Sequence, residues 1–218
     1  MPIGSTGSGK STLINLIPRF FDVTDGAIRI GNIDIRDVKQ HDLRNRIGYI
    51  PQKATLFSGT IESNLRYADE NATDSTIENA LEVSQAKEFV SKMPSGIEEP
   101  ISQGGTNVSG GQKQRLSIAR ALVKNADIYI FDDTFSALDY HTDALLREAL
   151  NKMVKEKHST VFIVAQRISS IMHADKIIVL DQGKIVGNGT HAELMKNCPV
   201  YQEIAYSQLS RKELAVNE

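Results

Sequence analysis

Tryptophan is absent from the 218 residues, and Cys198 is the single cysteine. One cysteine excludes an internal disulfide and a cysteine-based metal cluster. The five histidines show no H-x-x-x-H or comparable ligand spacing, so no zinc site is expected. Long apolar runs are missing too. The best are Val161 to Ala165 and Ile177 to Leu180, far short of the ~18 residues that cross a bilayer. The start carries no basic-then-apolar leader. Nor is there an excess of one charge: the formal net charge is -2. The basic run Lys152 to Lys157 is broken by acidic and apolar residues and reads as a solvated helix face. Nucleic acid and an anionic membrane surface are therefore not expected as direct partners, and by itself the fragment reads as a soluble intracellular chain.

What is present is ordinary globular composition, 40% apolar and 24% charged, in a length that suits one domain with a real core. There is no repeat, low-complexity tract or linker-like stretch. The patterning predicts a short helix over Lys10 to Ile17 that ends near Pro18. A hairpin comes next over Ala27 to Ile35 about Gly31-Asn32, then a short strand, Ile47 to Ile50. Thr73 to Met93 reads as helix with Ile77, Leu81 and Phe89 buried. A second helix runs from Ser109-Gly110-Gly111 to Leu122, and Ile128 to Phe131 is a buried strand. Asp143 to Val154 is helical; Thr160 to Ala165 and Lys176 to Leu180 are strands, the latter turning at Gln182-Gly183 into Lys184 to Val186. Strands alternating with helices imply an α/β domain with a mostly parallel sheet. The stretch from about Leu56 to Leu122 interrupts that alternation and reads as an inserted helical subdomain.

Gly4-Ser5-Thr6-Gly7-Ser8-Gly9-Lys10-Ser11 fits G-x-x-x-x-G-K-[ST] in full, and Thr12-Leu13-Ile14 continues it as helix. Glycines let the backbone curl so that successive N–H groups point at phosphate oxygens, and the helix start adds its positive end. Lys10 then reaches the β- and γ-phosphates and the Ser11 hydroxyl binds Mg²⁺. The bland alternative is a flexible Gly/Ser turn. Ile128-Tyr129-Ile130-Phe131-Asp132-Asp133 is an apolar strand that ends in two carboxylates. Asp132 lies at the carboxyl end, where α/β sheets bind ligands, and can hold Mg²⁺ directly or through water.

Asn107-Val108-Ser109-Gly110-Gly111-Gln112, with Lys113-Gln114-Arg115 directly after it, lies upstream of that strand. Here the chain resembles the ABC ATPase family, whose signature is L-S-G-G-Q with Val tolerated first. The resemblance implies that Ser109, Gly110, Gly111 and Gln112 cover the γ-phosphate of ATP held by a second subunit. Without it, the same residues are a serine N-cap with a glycine-rich entry. The family's other marks are present in order. Gln52 matches the Q-loop glutamine that senses Mg²⁺ and the attacking water, which makes Ser11, Gln52 and Asp132 the implied metal ligands. Ser136-Ala137-Leu138-Asp139 matches the D-loop, with Asp139 at a dimer interface, and Gln166 occupies the switch-histidine position. Leu56 to Ile61 and Ile101 to Gly105 look like the exporter branch, where such segments meet membrane domains and the partner's nucleotide. The resemblance covers essentially the whole chain. It implies a P-loop, RecA-like core over about 1–55 and 123–190, a helical subdomain over 56–122 and a helical tail over 191–218.

Three departures from the family stand out. The residue after Asp132 is usually Glu; Asp133 is one methylene shorter and stops roughly 1 Å short, a misplacement that can cost about a hundredfold in rate. Gln166 in place of His hydrogen-bonds a γ-phosphate but carries no imidazolium and relays no proton. Both weaken hydrolysis and leave binding residues intact. Third, only Met1-Pro2-Ile3 precedes Gly4, where the family has a strand preceded by an antiparallel subdomain. Pro2 has no N–H to donate, so the strand expected beside Ile128 to Phe131 is missing or crippled, as in a truncated product or one with a wrongly placed start. The reading is an ATP-binding, slowly hydrolysing subunit of an exporter. It works with transmembrane domains and a second, different nucleotide-binding chain at the cytoplasmic face of the membrane. A non-catalytic regulatory partner and an inert fragment are the alternatives. A DNA-repair ATPase would need coiled-coil insertions or a basic surface that the sequence lacks.

Overall fold

The chain starts on β1 (Pro2–Ile3), a strand of two residues, in a computed structural model that describes residues 1–208. A glycine-rich loop leads into α1 (Lys10–Asn15), which slackens into turns before Pro18 and so ends earlier than predicted. The hairpin is as expected: β2 (Arg29–Ile30) and β3 (Ile33–Asp34) pair Ile30 with Ile33 across Gly31-Asn32. Next come α2 (Gln40–Asn45), β4 (Ile47–Ile50), β5 (Gly59–Thr60), α3 (Ile61–Arg66), α4 (Asp74–Val83) and α5 (Lys87–Ser91). After them stand β6 (Pro100–Ile101), α6 (Gly110–Val123), β7 (Ile128–Asp132), α7 (Tyr140–Lys157) and β8 (Thr160–Val164). The described chain closes with β9 (Ile177–Asp181), β10 (Lys184–Gly189), α8 (His191–Asn197) and α9 (Pro199–Gln208). Of the tail expected over 191–218, the last ten residues lie outside the described ones.

Two differences from the sequence expectation have local causes. The single helix expected over 73–93 is broken at Gln85, whose φ of 58° is left-handed. The break shifts the phase of the next helical turns. Val90 is therefore buried, and half-buried Phe89 instead lies under the Arg115 guanidinium, 4.6 Å from its ring centre. α7 is longer than Asp143 to Val154 because its N-cap is Asp139, whose carboxylate accepts from the Thr142 amide.

The chain divides into two compact units, Met1–Gln40 with Phe162 onward, and His41–Val161. In the first, the sheet order is β1-β9-β10. β1 is parallel to β9, and β10 returns antiparallel through Gln182 and Gly183, both at positive φ. The strand before Gly4 thus exists, and it lies beside β9 rather than beside Ile128 to Phe131. Pro2 is tolerated there because the strand is used through its acceptors: Met1 O takes the Ile178 N–H at 2.9 Å and Pro2 O the Ala165 N–H at 3.3 Å. Ile3 is fully buried.

In the second unit all five residues of β7 are buried, as a central strand of near-continuous apolar character requires. β7 is parallel to β4, in register Ile47 with Ile128 through Ile50 with Phe131. Thr160, where β8 begins, donates its N–H to Asp127 O just before β7 at 2.9 Å. This register brings the carboxyl ends of β4 and β7 to one edge, so Gln52 and Asp133, each two residues beyond a paired position, emerge together. α6 packs against β4, α3 and α4 through an apolar face that includes Leu116, Ile118, Ala119 and Leu122. Each large aliphatic side chain buried there contributes roughly 1.5–3 kcal/mol.

Candidate functional site

In the first unit the glycine-rich loop runs from β1 to α1. Gly4 passes so close to β9 that a Cβ there would lie 2.1 Å from the Leu180 carbonyl oxygen. Gly9 caps α1 in the left-handed region, with φ 97°. Between them Ser5, Thr6 and Gly7 are exposed and Ser8 is buried. The loop is held from beneath: the Gly183 N–H donates to Ser8 O at 3.2 Å, and the Leu13 N–H to Gly9 O at 2.9 Å. The buried Lys10 ammonium curls over the loop and donates to Gly4 O at 2.8 Å and Ser5 O at 2.7 Å. Ser11 is half-buried and Thr12 exposed.

This cradle suits a polyphosphate. Its cation is folded over the loop, and the Ser8 hydroxyl is buried with no hydrogen-bond partner among the described residues. Gln166, also in this unit, is exposed and shares with Gly4, Ser5 and Thr6 an open cleft of about 390 Å³. The structure therefore brings Gln166 to the cleft beside the phosphate loop.

In the second unit the acidic pair is buried, Asp132 at 6% and Asp133 at 7% exposure. The Gln52 amide donates from Nε2 to Asp133 Oδ2 at 2.9 Å. Tyr49, which was not among the expected site residues, donates its hydroxyl to Asp132 Oδ2 at 3.4 Å. Burial first, and then the Asp132 charge, pushes the Tyr49 phenol up to about 12. The signal for it was available: Tyr49 sits on β4 close before Gln52, in a strand otherwise made of Ile and Gly. Asp133 itself adopts φ 47°, which turns the chain sharply out of β7 into a 3₁₀ turn, Thr134–Ala137. Thr134 ties that turn back to Ile50 O at 3.3 Å. Asp139 comes next as the α7 cap, and the Thr142 hydrogen bonds hold its carboxyl below the usual carboxylate range.

The signature residues begin α6. Ser109 Oγ accepts from the Gln112 N–H at 3.2 Å, and Gln112 Oε1 accepts from the Ser109 N–H at 2.9 Å, a reciprocal capping box. The N-cap reading of Ser109 is thus correct as far as it goes. Both side chains serve the helix, while Ser109 and Gly110 remain exposed. The two segments singled out for the exporter branch are joined: β5 pairs with β6, Gly59 opposite Ile101 and Thr60 opposite Pro100. Asn64 fixes the first of them by accepting from the Phe57 N–H and donating to the Phe57 and Thr60 carbonyls. Lys113 fixes the second by donating to Gly104 O at 2.7 Å. Neither Asn64 nor Lys113 was among the expected site residues.

A glycine cradle with its lysine, and buried carboxylates at the end of a parallel strand, define a P-loop nucleotide-binding domain of mixed α/β fold. The profile of the family described as ABC transporter matches residues 3–136, and the chain belongs to that family. It is 48% identical over 209 residues to an uncharacterized ABC transporter ATP-binding protein of Mycobacterium bovis, an alignment covering 94% of this chain and 35% of that protein. A Bacillus subtilis chain named as a putative multidrug export ATP-binding/permease protein is 45% identical over 193 residues, 88% of this chain and 33% of its own. Among solved structures, a bacterial Atm1-family ABC exporter with ATP bound superposes with a TM-score of 0.91 at 35% identity, covering 96% of this chain and 37% of that one. The chain spans about a third of the length of the curated relatives it matches. Among the described residues no helix is long and apolar enough to cross a membrane.

Proposed function

We propose that this chain is the ATP-binding part of an exporter, acting at the cytoplasmic face of a membrane with transmembrane domains and a second nucleotide-binding domain. The observation that carries the reading is the phosphate loop with Lys10 folded over the Gly4 and Ser5 carbonyls, in a cleft shared with Gln166. The names of the relatives support the transport half of it. Lys10 would take the phosphates, and Ser11, Gln52 and Asp132 are the residues that the family resemblance implies for Mg²⁺. Mg²⁺, when bound, supplies charge neutralisation on the phosphoryl oxygens. The test is equilibrium titration of the full chain with Mg-ATP: Lys10→Ala should remove most of the affinity. Unchanged affinity would end the assignment.

Hydrolysis joins a water oxygen to the γ-phosphorus and breaks its bond to the bridging oxygen of ADP, with a proton passing to a base. Asp133 is the base in this reading, positioned by the Gln52 amide on its Oδ2. Its short side chain, and a Gln at position 166 that relays no proton, make this a slow site. The signature on α6, by contrast, is complete and acts on nucleotide held by another subunit. We therefore assign the second nucleotide-binding domain to a different chain, whose own base and switch residue complete the efficient site.

A further inference from the structure

α9 walls the cleft opposite the phosphate loop. Val200, Glu203, Ile204, Ser207 and Gln208 line it, and their three- and four-residue spacing puts them on one face of the helix. At the end of that face, the Gln208 side chain grips the backbone that carries Gln166. Its Oε1 accepts from the Ile168 N–H at 2.8 Å, and its Nε2 donates to the Gln166 carbonyl at 2.8 Å. A single amide thus satisfies a donor and an acceptor two residues apart, where the chain leaves β8 for the 3₁₀ turn Ile168–Ser170. Ile168 is buried while Gln166 and Arg167 are exposed, so this double contact anchors the otherwise exposed stretch on one side.

We propose that Gln208 is a positioning residue that sets the direction of Gln166 toward the terminal phosphate of bound nucleotide. The inference rests on the reading of the cleft as a nucleotide site and of Gln166 as its phosphate contact. Gln208 lines the same cleft, but both polar atoms of its amide are engaged by the Gln166 loop. It acts only on the loop, so its loss weakens what Gln166 does for a triphosphate and leaves a diphosphate, which lacks the γ group, unaffected. A general scaffold role for α9 would instead weaken both nucleotides together.

The experiment measures affinity of the full chain for a non-hydrolysable ATP analogue and for ADP in Gln208→Ala, Gln208→Glu, Gln166→Ala and the double variant. Amide hydrogen exchange at Ile168 is tracked alongside, with exposed Tyr206→Ala as a control on α9. Gln208→Ala should lower analogue affinity about tenfold with ADP unchanged, and speed Ile168 exchange by a similar factor. Gln208→Glu keeps the acceptor for Ile168 but not the donor to Gln166, and should fall between. The double variant should be no worse than Gln166→Ala. Parallel loss of analogue and ADP affinity, or no change for Gln208→Ala beside a changed Gln166→Ala, would overturn the positioning role alone. If Gln166→Ala leaves the analogue-to-ADP ratio unchanged, the reading of Gln166 is wrong and the inference falls with it. If Lys10→Ala changes neither affinity, the cleft reading itself has failed.

Discussion

The Gln52 amide and the Asp133 carboxylate are in direct contact, Nε2 to Oδ2 at 2.9 Å, because β4 and β7 run parallel in a register that ends both strands together. The donor on Oδ2 fixes the orientation of the carboxylate. In the proposed reading this contact positions Asp133 as the base, and its side chain is one methylene too short.

Asp133→Glu should therefore raise hydrolysis at this chain's own nucleotide, by up to about a hundredfold if the added methylene restores the missing ångström. Single-turnover phosphate release in the assembled transporter measures it. A rate equal to or below that of the unaltered chain would show that Gln166, not the length of residue 133, sets the limit.

Steady-state turnover of the assembled pair should rank the two faces of the chain. Ser109→Ala should abolish most turnover and Asp133→Ala change it little, because in the proposed reading the signature serves the other subunit's nucleotide. The capping box adds a control. Ser109→Ala also costs about 1 kcal/mol of stability through the lost cap, whereas Ser109→Asp keeps a capping acceptor and places a negative charge where phosphate is recognised. Ser109→Asp should be as stable as the unaltered chain and as inactive as Ser109→Ala. An active Ser109→Asp, or an Asp133→Ala more damaging than Ser109→Ala, would contradict the division of labour.

Gly4→Ala places a methyl group 2.1 Å from the Leu180 carbonyl oxygen. That neighbour is backbone of β9 and has nowhere to go without disturbing the strand. Overpacking of this kind costs roughly 1–3 kcal/mol, and the loop must shift as well. The expected result is a lowered denaturation midpoint together with weakened ATP binding. Retention of both would show that the loop lifts off β9 without consequence.

Tyr49 gives a pH signature. Its phenol, pushed from the ordinary value of 10 up to about 12, favours the protonated form in the folded chain. The stability it contributes is fully present below pH 10 and is lost as pH rises from 10 through 12. Ultraviolet titration of Tyr49→Phe should lose one late-titrating tyrosinate, while the buried Tyr129 and Tyr201, whose phenols burial also pushes up, remain. A late-titrating population unchanged in Tyr49→Phe would contradict the raised Tyr49 phenol.

Much of the phosphate cradle was legible in the sequence, because a loop motif and the helix after it are local chemistry: Gly4 to Ser11 can be read without knowing the fold. The hairpin at Gly31-Asn32 and the turn at Gln182-Gly183 were legible for the same reason. Gln52, Asp133 and Asp139 were found by family resemblance, but the contact between the first two depends on the register of β4 with β7, which no single stretch encodes. Tyr49, Asn64 and Gln208 escaped notice because their roles lie in hydrogen bonds to partners distant in the chain or to carbonyls that look alike in any sequence. The break at Gln85 was hidden by good helical periodicity on both sides of it; a glutamine at positive φ leaves no compositional trace.

The two-residue ladder between β5 and β6 is small, yet it ties Thr60 to Pro100 and so closes α3, α4 and α5 into a loop. Closing a chain costs entropy that grows only slowly with its length, and once closed, the enclosed helices share a common fate. Native-state exchange should find them opening as a single cooperative foldon, with the amides of α4 and α5 released together and at the same free energy. Cutting the chain between them would then loosen an entire ring, not a segment.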